Sequence, residues 1–214
     1  MARDENPPFN RGETFFGIGG TVITATQDPL QLIGHDWEFE DINWALTGAV
    51  GAKQLRSQRR VTCRVVKNIA GIALLPSRVA NASTVQTDGR TFENSIDGYT
   101  TTSAAFALGV VDEWLPAAGV AANDFFYIVT KGPTTILTDL AGGANNVFSV
   151  GTVVVALTAA TSQATTAGRI YPQDLTGATS LLGNQVQNAI GRALSAATTA
   201  NTNIGLLVDV RMGY

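Results

Sequence analysis

From residue 61 onward the chain is written as short β-branched or apolar runs, each closed by a turn residue. This punctuation constrains the fold more than any other feature. Val61-Thr62-Cys63-Arg64-Val65-Val66-Lys67 ends at Asn68, and Gly71-Ile72-Ala73-Leu74-Leu75-Pro76 ends in proline. Residues 100–111 follow the turn pair Asp97-Gly98. Residues 125–130 are aromatic and β-branched and are expected to stop at Gly132-Pro133, with another short run over 134–138. Gly142-Gly143 and Asn145-Asn146 mark a loop. Residues 150–158 are almost continuously apolar, as in a buried strand. Residues 205–212 read as a terminal strand. Short strands at such spacing predict a barrel or a sandwich.

One segment supports two readings. Leu182, Val186, Ala189, Ile190, Ala193 and Leu194 share a face at helical spacing, and Thr179 or Ser180 is placed to cap such a helix. Gly183 and Gly191 oppose it, each costing about 1 kcal/mol in a helix interior. By periodicity residues 180–196 are the best helix candidate in the chain, with these glycines against it.

Before residue 61 the pattern is looser. Residues 1 to about 20 read as an extended arm: Pro7-Pro8 favours an open path, and Gly12, Gly17, Gly19 and Gly20 break any periodicity. Phe9, Phe15 and Phe16 lie in a segment that cannot form a core of its own. They seek a pocket on a neighbouring molecule or pack back on their own domain. Residues 21–26 alternate like a short strand, and Trp37 and Phe39 alternate with acids like a half-exposed one. Arg56, Arg59 and Arg60 form the dense basic run. Residues 1–60 are thus taken as arm and linking segment, and 61–214 as the β-rich domain.

Composition limits the chemistry. Of 214 residues 14% are charged and 45% apolar, with a net charge of −3 and a pI of about 5.1. That excludes a globally basic nucleic-acid binder. So little charge in a chain rich in Thr, Ala, Gly and Asn suits either a Thr-rich β domain or surfaces covered by partners in an assembly. One cysteine, Cys63, and one histidine, His35, give neither an internal disulfide nor a Cys/His zinc site. No apolar run is long enough to span a bilayer, and residues 1–8 lack the apolar core of a secretory signal. His35 beside Asp36 gains no pairing from adjacency, since neighbours in an extended chain face opposite sides. No G-x-S-x-G occurs, and Gly17-Ile18-Gly19-Gly20 fits neither a dinucleotide fingerprint nor a P-loop. Cys63, inside a strand, reads as a buried inert thiol. Asp112-Glu113 and Glu38/Glu40/Asp41 cluster without metal-binding spacing. The three arginines suit phosphate or, more readily, carboxylates of a protein neighbour, because no stacking aromatics lie between them. Asn81-Ala82-Ser83 is a formal glycosylation sequon, read as chance in a chain expected to have no secretory signal.

Several segments carry a resemblance. Residues 65–76, the stretch from Val111 to Pro133, residues 156–169 and Ile190-Gly191-Arg192-Ala193-Leu194 with the terminal run resemble tailed-bacteriophage head-decoration (cement) proteins. The likeness spans about residues 61–214; residues 1–60 have no counterpart in it. The resemblance implies a compact barrel- or tulip-like β domain with an extended N-terminal arm, and Ile190–Leu194 as a strand. It implies no enzymatic activity and no cofactor. It also implies binding to the major capsid protein on the outer surface of the phage head, often as a homotrimer, with no nucleic acid or membrane as partner. Phe9, Phe15, Phe16, Arg56, Arg59 and Arg60 are the candidate residues for contact with capsid or a neighbouring subunit. Rival readings are another virion part (a head-fibre base, tail component or small capsid subunit) and a carboxylate-based hydrolase on a β fold.

Overall fold

The computed structural model describes residues 7, 9–14, 33–43, 55–83, 94–99, 107–138, 147–156, 168–172, 189–198 and 202–210. Ten strands lie in these residues: β1 (Asp36–Ile42), β2 (Leu55–Asn68), β3 (Val79–Ala82), β4 (Ser95–Tyr99), β5 (Ala107–Val111), β6 (Phe125–Leu137), β7 (Val153–Ala156), β8 (Ile170–Pro172), β9 (Ala189–Ala193) and β10 (Asn203–Asp209). No α-helix occurs among the described residues. The protein is mainly β, as the punctuated runs require.

The strands form one mixed sheet in the order β1-β2-β4-β3-β5-β6-β10-β9-β7-β8, with β2 also paired to β6. That extra pairing joins β2, β4, β3, β5 and β6 in a ring. The sheet as a whole is not the barrel that was expected. The reason lies in the two longest strands, each of which changes partner along its length. β2 pairs with β1 and β6 over most of its course and meets β4, in parallel, only at Lys67 and Asn68. β6 pairs with β2 over Phe125–Lys131 and with β10 over Lys131–Leu137. The remaining strands therefore continue away from the ring instead of closing it.

Alternation sorts the core into two clusters. Val61, Cys63 and Val65 of β2 and Phe125, Tyr127 and Val129 of β6 enter one, with Phe39, Ile204, Leu206 and Val208. Val66 of β2 and Phe126 and Ile128 of β6 enter the other, with Leu74, Ile96, Leu108 and Val120. β6 is buried on both faces, which explains its unbroken apolar run. Each fully buried large side chain contributes roughly 1.5–3 kcal/mol.

Four local expectations are corrected. Gly132-Pro133 does not end a strand. Gly132 takes a positive φ (103°) against the Arg60 backbone, a register shift at Thr62/Cys63 lies opposite, and the strand bends into its pairing with β10. Asp97-Gly98 lies inside β4, where Gly98 pairs with Asn81 beside a bulge. Residues 71–76 form a loop joined to Val120 by a single bridge at Leu74. Val150 is 70% exposed, because Ser149–Thr152 make a turn and β7 begins only at Val153.

Ile190–Ala193 are strand and Leu194 follows as a bend, so helical periodicity does not decide the conformation there. The other contested residues, 180–188, lie outside the described residues, as do 21–26 and 100–106. β1 and all of β2 belong to the sheet, so residues 36–42 and 55–60 are structural strand.

Candidate functional site

Several charged residues gather around a residue of the N-terminal segment. Arg11 is buried, and its Nη2 lies 2.6 Å from Asp112 Oδ1, with Nε donating to Oδ2 at 3.2 Å. The Gly12 N–H also donates to Asp112 Oδ2 at 3.2 Å. Burial acts to lower the Arg11 pKa, but the charge and hydrogen bonds of Asp112 more than offset it, leaving the guanidinium above its ordinary value. Burial pushes the Asp112 carboxyl up, against the opposing pull of Arg11. Phe9 stacks on Tyr127 with ring centroids 4.4 Å apart, and the Tyr127 hydroxyl donates to the Phe9 carbonyl at 3.1 Å. Residues 9–12 are thereby seated on their own domain.

Glu113 extends the network. Both Arg56 Nη groups donate to its two oxygens at 2.8 Å, and Thr135 Oγ1 donates to Oε2. Arg56 Nε reaches Asp41 Oδ1 at 2.9 Å, and Ser57 Oγ donates to Asp41 Oδ2 at 2.7 Å. The Arg56 guanidinium lies 5.6 Å from the Trp114 ring centroid. Burial lowers its pKa less than Glu113 and Asp41 raise it, so it stays charged. On the exposed face of β1 and β2, Arg60 pairs with Glu38 at 2.8 Å and Arg64 with Asp36 at 2.8 Å.

The six candidate contact residues separate under this geometry. Phe9 packs internally, and Arg56 and Arg60 are engaged by acids of their own chain. Arg59 is exposed, and its backbone N–H donates to Ser57 Oγ at 3.1 Å. Phe15 and Phe16 lie outside the described residues. Cys63 is fully buried, and burial drives its thiol pKa up, so it is no nucleophile. His35 is exposed at the start of β1, and Asp36 turns to Arg64. Among the described residues no three His, Cys, Asp or Glu side chains are grouped to hold a metal ion. No helix among them is long and apolar enough to cross a membrane.

A second region contrasts with the first. At the end of β2, Asn68 is buried, and its Nδ2 reaches the carbonyls of Val120 (2.9 Å), Ala121 (3.1 Å) and Ile72 (3.1 Å). Its Oδ1 accepts from the Ala70 N–H at 2.9 Å. Leu74 and Val120 exchange backbone hydrogen bonds of 3.0 and 2.8 Å. These contacts lock loop 69–77 to loop 116–123. Neither loop contains a charged residue. No charge or nucleophile motif marks either loop in the sequence. The available signal was the uncharged, alanine-rich Pro116-Ala117-Ala118-Gly119 segment beside exposed Ile72 and Leu75.

No family model matches the chain, and no curated protein matches it. Among solved structures, the chain is similar to the base of the head fiber gp8.5 of bacteriophage phi29. The TM-score is 0.36 at 11% identity, covering 69% of this chain and 93% of that one.

Proposed function

We propose that the chain is a non-enzymatic structural protein of a tailed-phage virion, attached to the outer surface of the head through the major capsid protein. One observation carries the reading. Two segments that resemble decoration proteins, residues 65–76 and 111–133, lie far apart in sequence yet form one folded unit. They are joined by the β2–β6 ladder and by the Leu74–Val120 bridge. The resemblance therefore belongs to a single three-dimensional piece of the chain. The ion pairs support the same reading, since Asp41, Asp112 and Glu113 are committed to arginines of their own chain.

Two finer forms fit. In one, the protein cements neighbouring capsid subunits as a homotrimer, with Phe15, Phe16 and Arg59 serving contacts between copies. In the other, it is the base of a head fibre, the kind of part to which the phi29 gp8.5 structure belongs. Co-sedimentation of the full chain with expanded, undecorated heads of its own phage tests the proposal. Saturable binding at a fixed ratio to the major capsid protein is expected, and no binding would overturn it. Copy number in the virion then separates the forms: stoichiometry with the capsomers means cement, and a few tens or fewer means fibre base.

A further inference from the structure

We infer that the socket around Asp112 and Tyr127 is a peptide-binding site whose ligand is an arginine-bearing turn, filled in the single chain by its own residues 9–13 as a detachable plug and open to the same segment of a second copy. The inference goes beyond head attachment and does not depend on it.

The segment is a folded unit of its own. The Glu13 N–H donates to the Asn10 carbonyl at 3.3 Å, and the Asn10 N–H donates to Glu13 Oε2 at 2.9 Å. Gly12, with a φ of +82°, makes the turn between them. Among the described residues the segment joins no β ladder. Side chains of the domain hold it instead. Asp112 takes the Arg11 guanidinium and the Gly12 N–H, and Tyr127 takes the Phe9 ring and carbonyl. A turn held in this way can leave as a unit without breaking a strand pairing.

The socket selects its ligand closely. Asp112 meets the guanidinium with both oxygens, a geometry that lysine cannot reproduce. Glu113 Oε1 stands 3.9 Å from Arg11 Nη2 and adds negative charge, while both Glu113 oxygens also accept from Arg56. Tyr127 offers a ring to the aromatic residue before the turn. A Cβ at position 12 would stand 2.8 Å from the Trp114 carbonyl oxygen, so only glycine can follow the arginine. The ligand class is therefore aromatic-x-Arg-Gly. The fit fails at one atom: Arg11 Nη1 is buried without a hydrogen-bond partner among the described residues. That unmet donor opposes permanent burial of the turn.

A second copy carries the same turn and the same socket, and exchange of an identical element remakes every contact it breaks. Reach permits the exchange. Residues 15–32 join the plug to Ile33, which is buried in the core. That length of chain spans at most about 60 Å when fully extended, whereas a domain of this size is roughly 45 Å across. In a dilute chain the tether favours its own socket. Where copies stand side by side, a neighbour's socket lies within the same reach.

The test supplies the plug in trans. The acceptor is the full chain with Phe9→Ala/Arg11→Ala, and the probe is a synthetic peptide of residues 7–14. Calorimetry should show saturable one-to-one binding to the acceptor. The same peptide carrying Arg11→Ala should bind at least tenfold more weakly, and so should the original peptide to the parent chain, whose socket is filled. No binding to the folded acceptor, or equal binding of the two peptides, would overturn the site. If the acceptor does not fold, hydrogen exchange on the parent decides. The Gly12 amide should exchange through a local opening while amides of the β2–β6 ladder stay protected. Exchange of both only in step with global unfolding would make residues 9–13 an integral part of the fold and overturn the plug. Supply by a second copy is tested by mixing the acceptor with full chain carrying Asp112→Asn, whose plug is intact and whose socket is spoiled. Sedimentation velocity should show a one-to-one complex, and peptide binding without that complex would overturn the second copy as a source.

Discussion

The ion-paired side and the neutral tip formed by loops 69–77 and 116–123 treat side chains in opposite ways. Around Glu113, arginines and carboxylates from residues 11, 41, 56 and 112 are consumed by one another, and their work is to hold the N-terminal segment and the first strands on the sheet. At the tip, one buried amide and a pair of backbone hydrogen bonds hold two loops whose exposed side chains meet no partner charge. Charge in this network serves architecture.

The contrast can be broken at its most buried point. Asp112→Ala leaves the buried Arg11 charged with only its 3.9 Å contact to Glu113, and losing one partner of a buried pair costs about 3–5 kcal/mol. Urea unfolding should show that loss, and Arg11→Ala/Asp112→Ala should cost less than the two single changes together. An equal or greater cost for the double variant would mean the pair does not act as a unit.

At the tip, burial and exposure separate within one loop. Leu74→Ala opens a cavity in the core and should cost about 2–5 kcal/mol, whereas Ile72→Ala should change stability by less than about 0.5 kcal/mol. Thermal denaturation distinguishes them, and comparable losses would show that the tip is structural. Asn68→Ala leaves carbonyls of Val120 and Ala121 without their donor and should cost about 1–3 kcal/mol.

Alkali sharpens the comparison from the core under the ion-paired side. Burial raises the Cys63 thiol above its ordinary 9.0 and the Tyr127 hydroxyl above its ordinary 10.0. The folded chain keeps both protons at pH values where the unfolded chain releases them. That stabilisation is complete below the ordinary values and is lost as pH rises through and beyond them. The urea midpoint should fall progressively above about pH 9, and Tyr127→Phe should flatten the decline. The smallest effect belongs to the exposed Arg60–Glu38 pair, where Arg60→Ala should cost under about 1 kcal/mol and less still in high salt.

Much of the fold was legible because its signals are local. The β-branched run from Val61 to Lys67, its stop at Asn68, the aromatic and β-branched strand over residues 125–130 and the terminal strand all follow from residue type and turn chemistry. What failed was closure. Gly132-Pro133 reads as a stop, yet it bends β6 from one partner to the next, and that change of partner depends on β10, some seventy residues away. Asp97-Gly98 likewise signals a turn that pairing with β3 overrides. For the site, the arginine run was visible, but its pairing with Asp41 and Glu113 depends on where β1 and the residues after β5 come to rest. Arg11 carried no sequence signal at all, since its partner Asp112 stands 101 positions away.

The most direct measurement is a cryo-electron microscopy map of heads saturated with the full-length protein. The account predicts density on the outer surface in contact with the major capsid protein. A map without external density would contradict it.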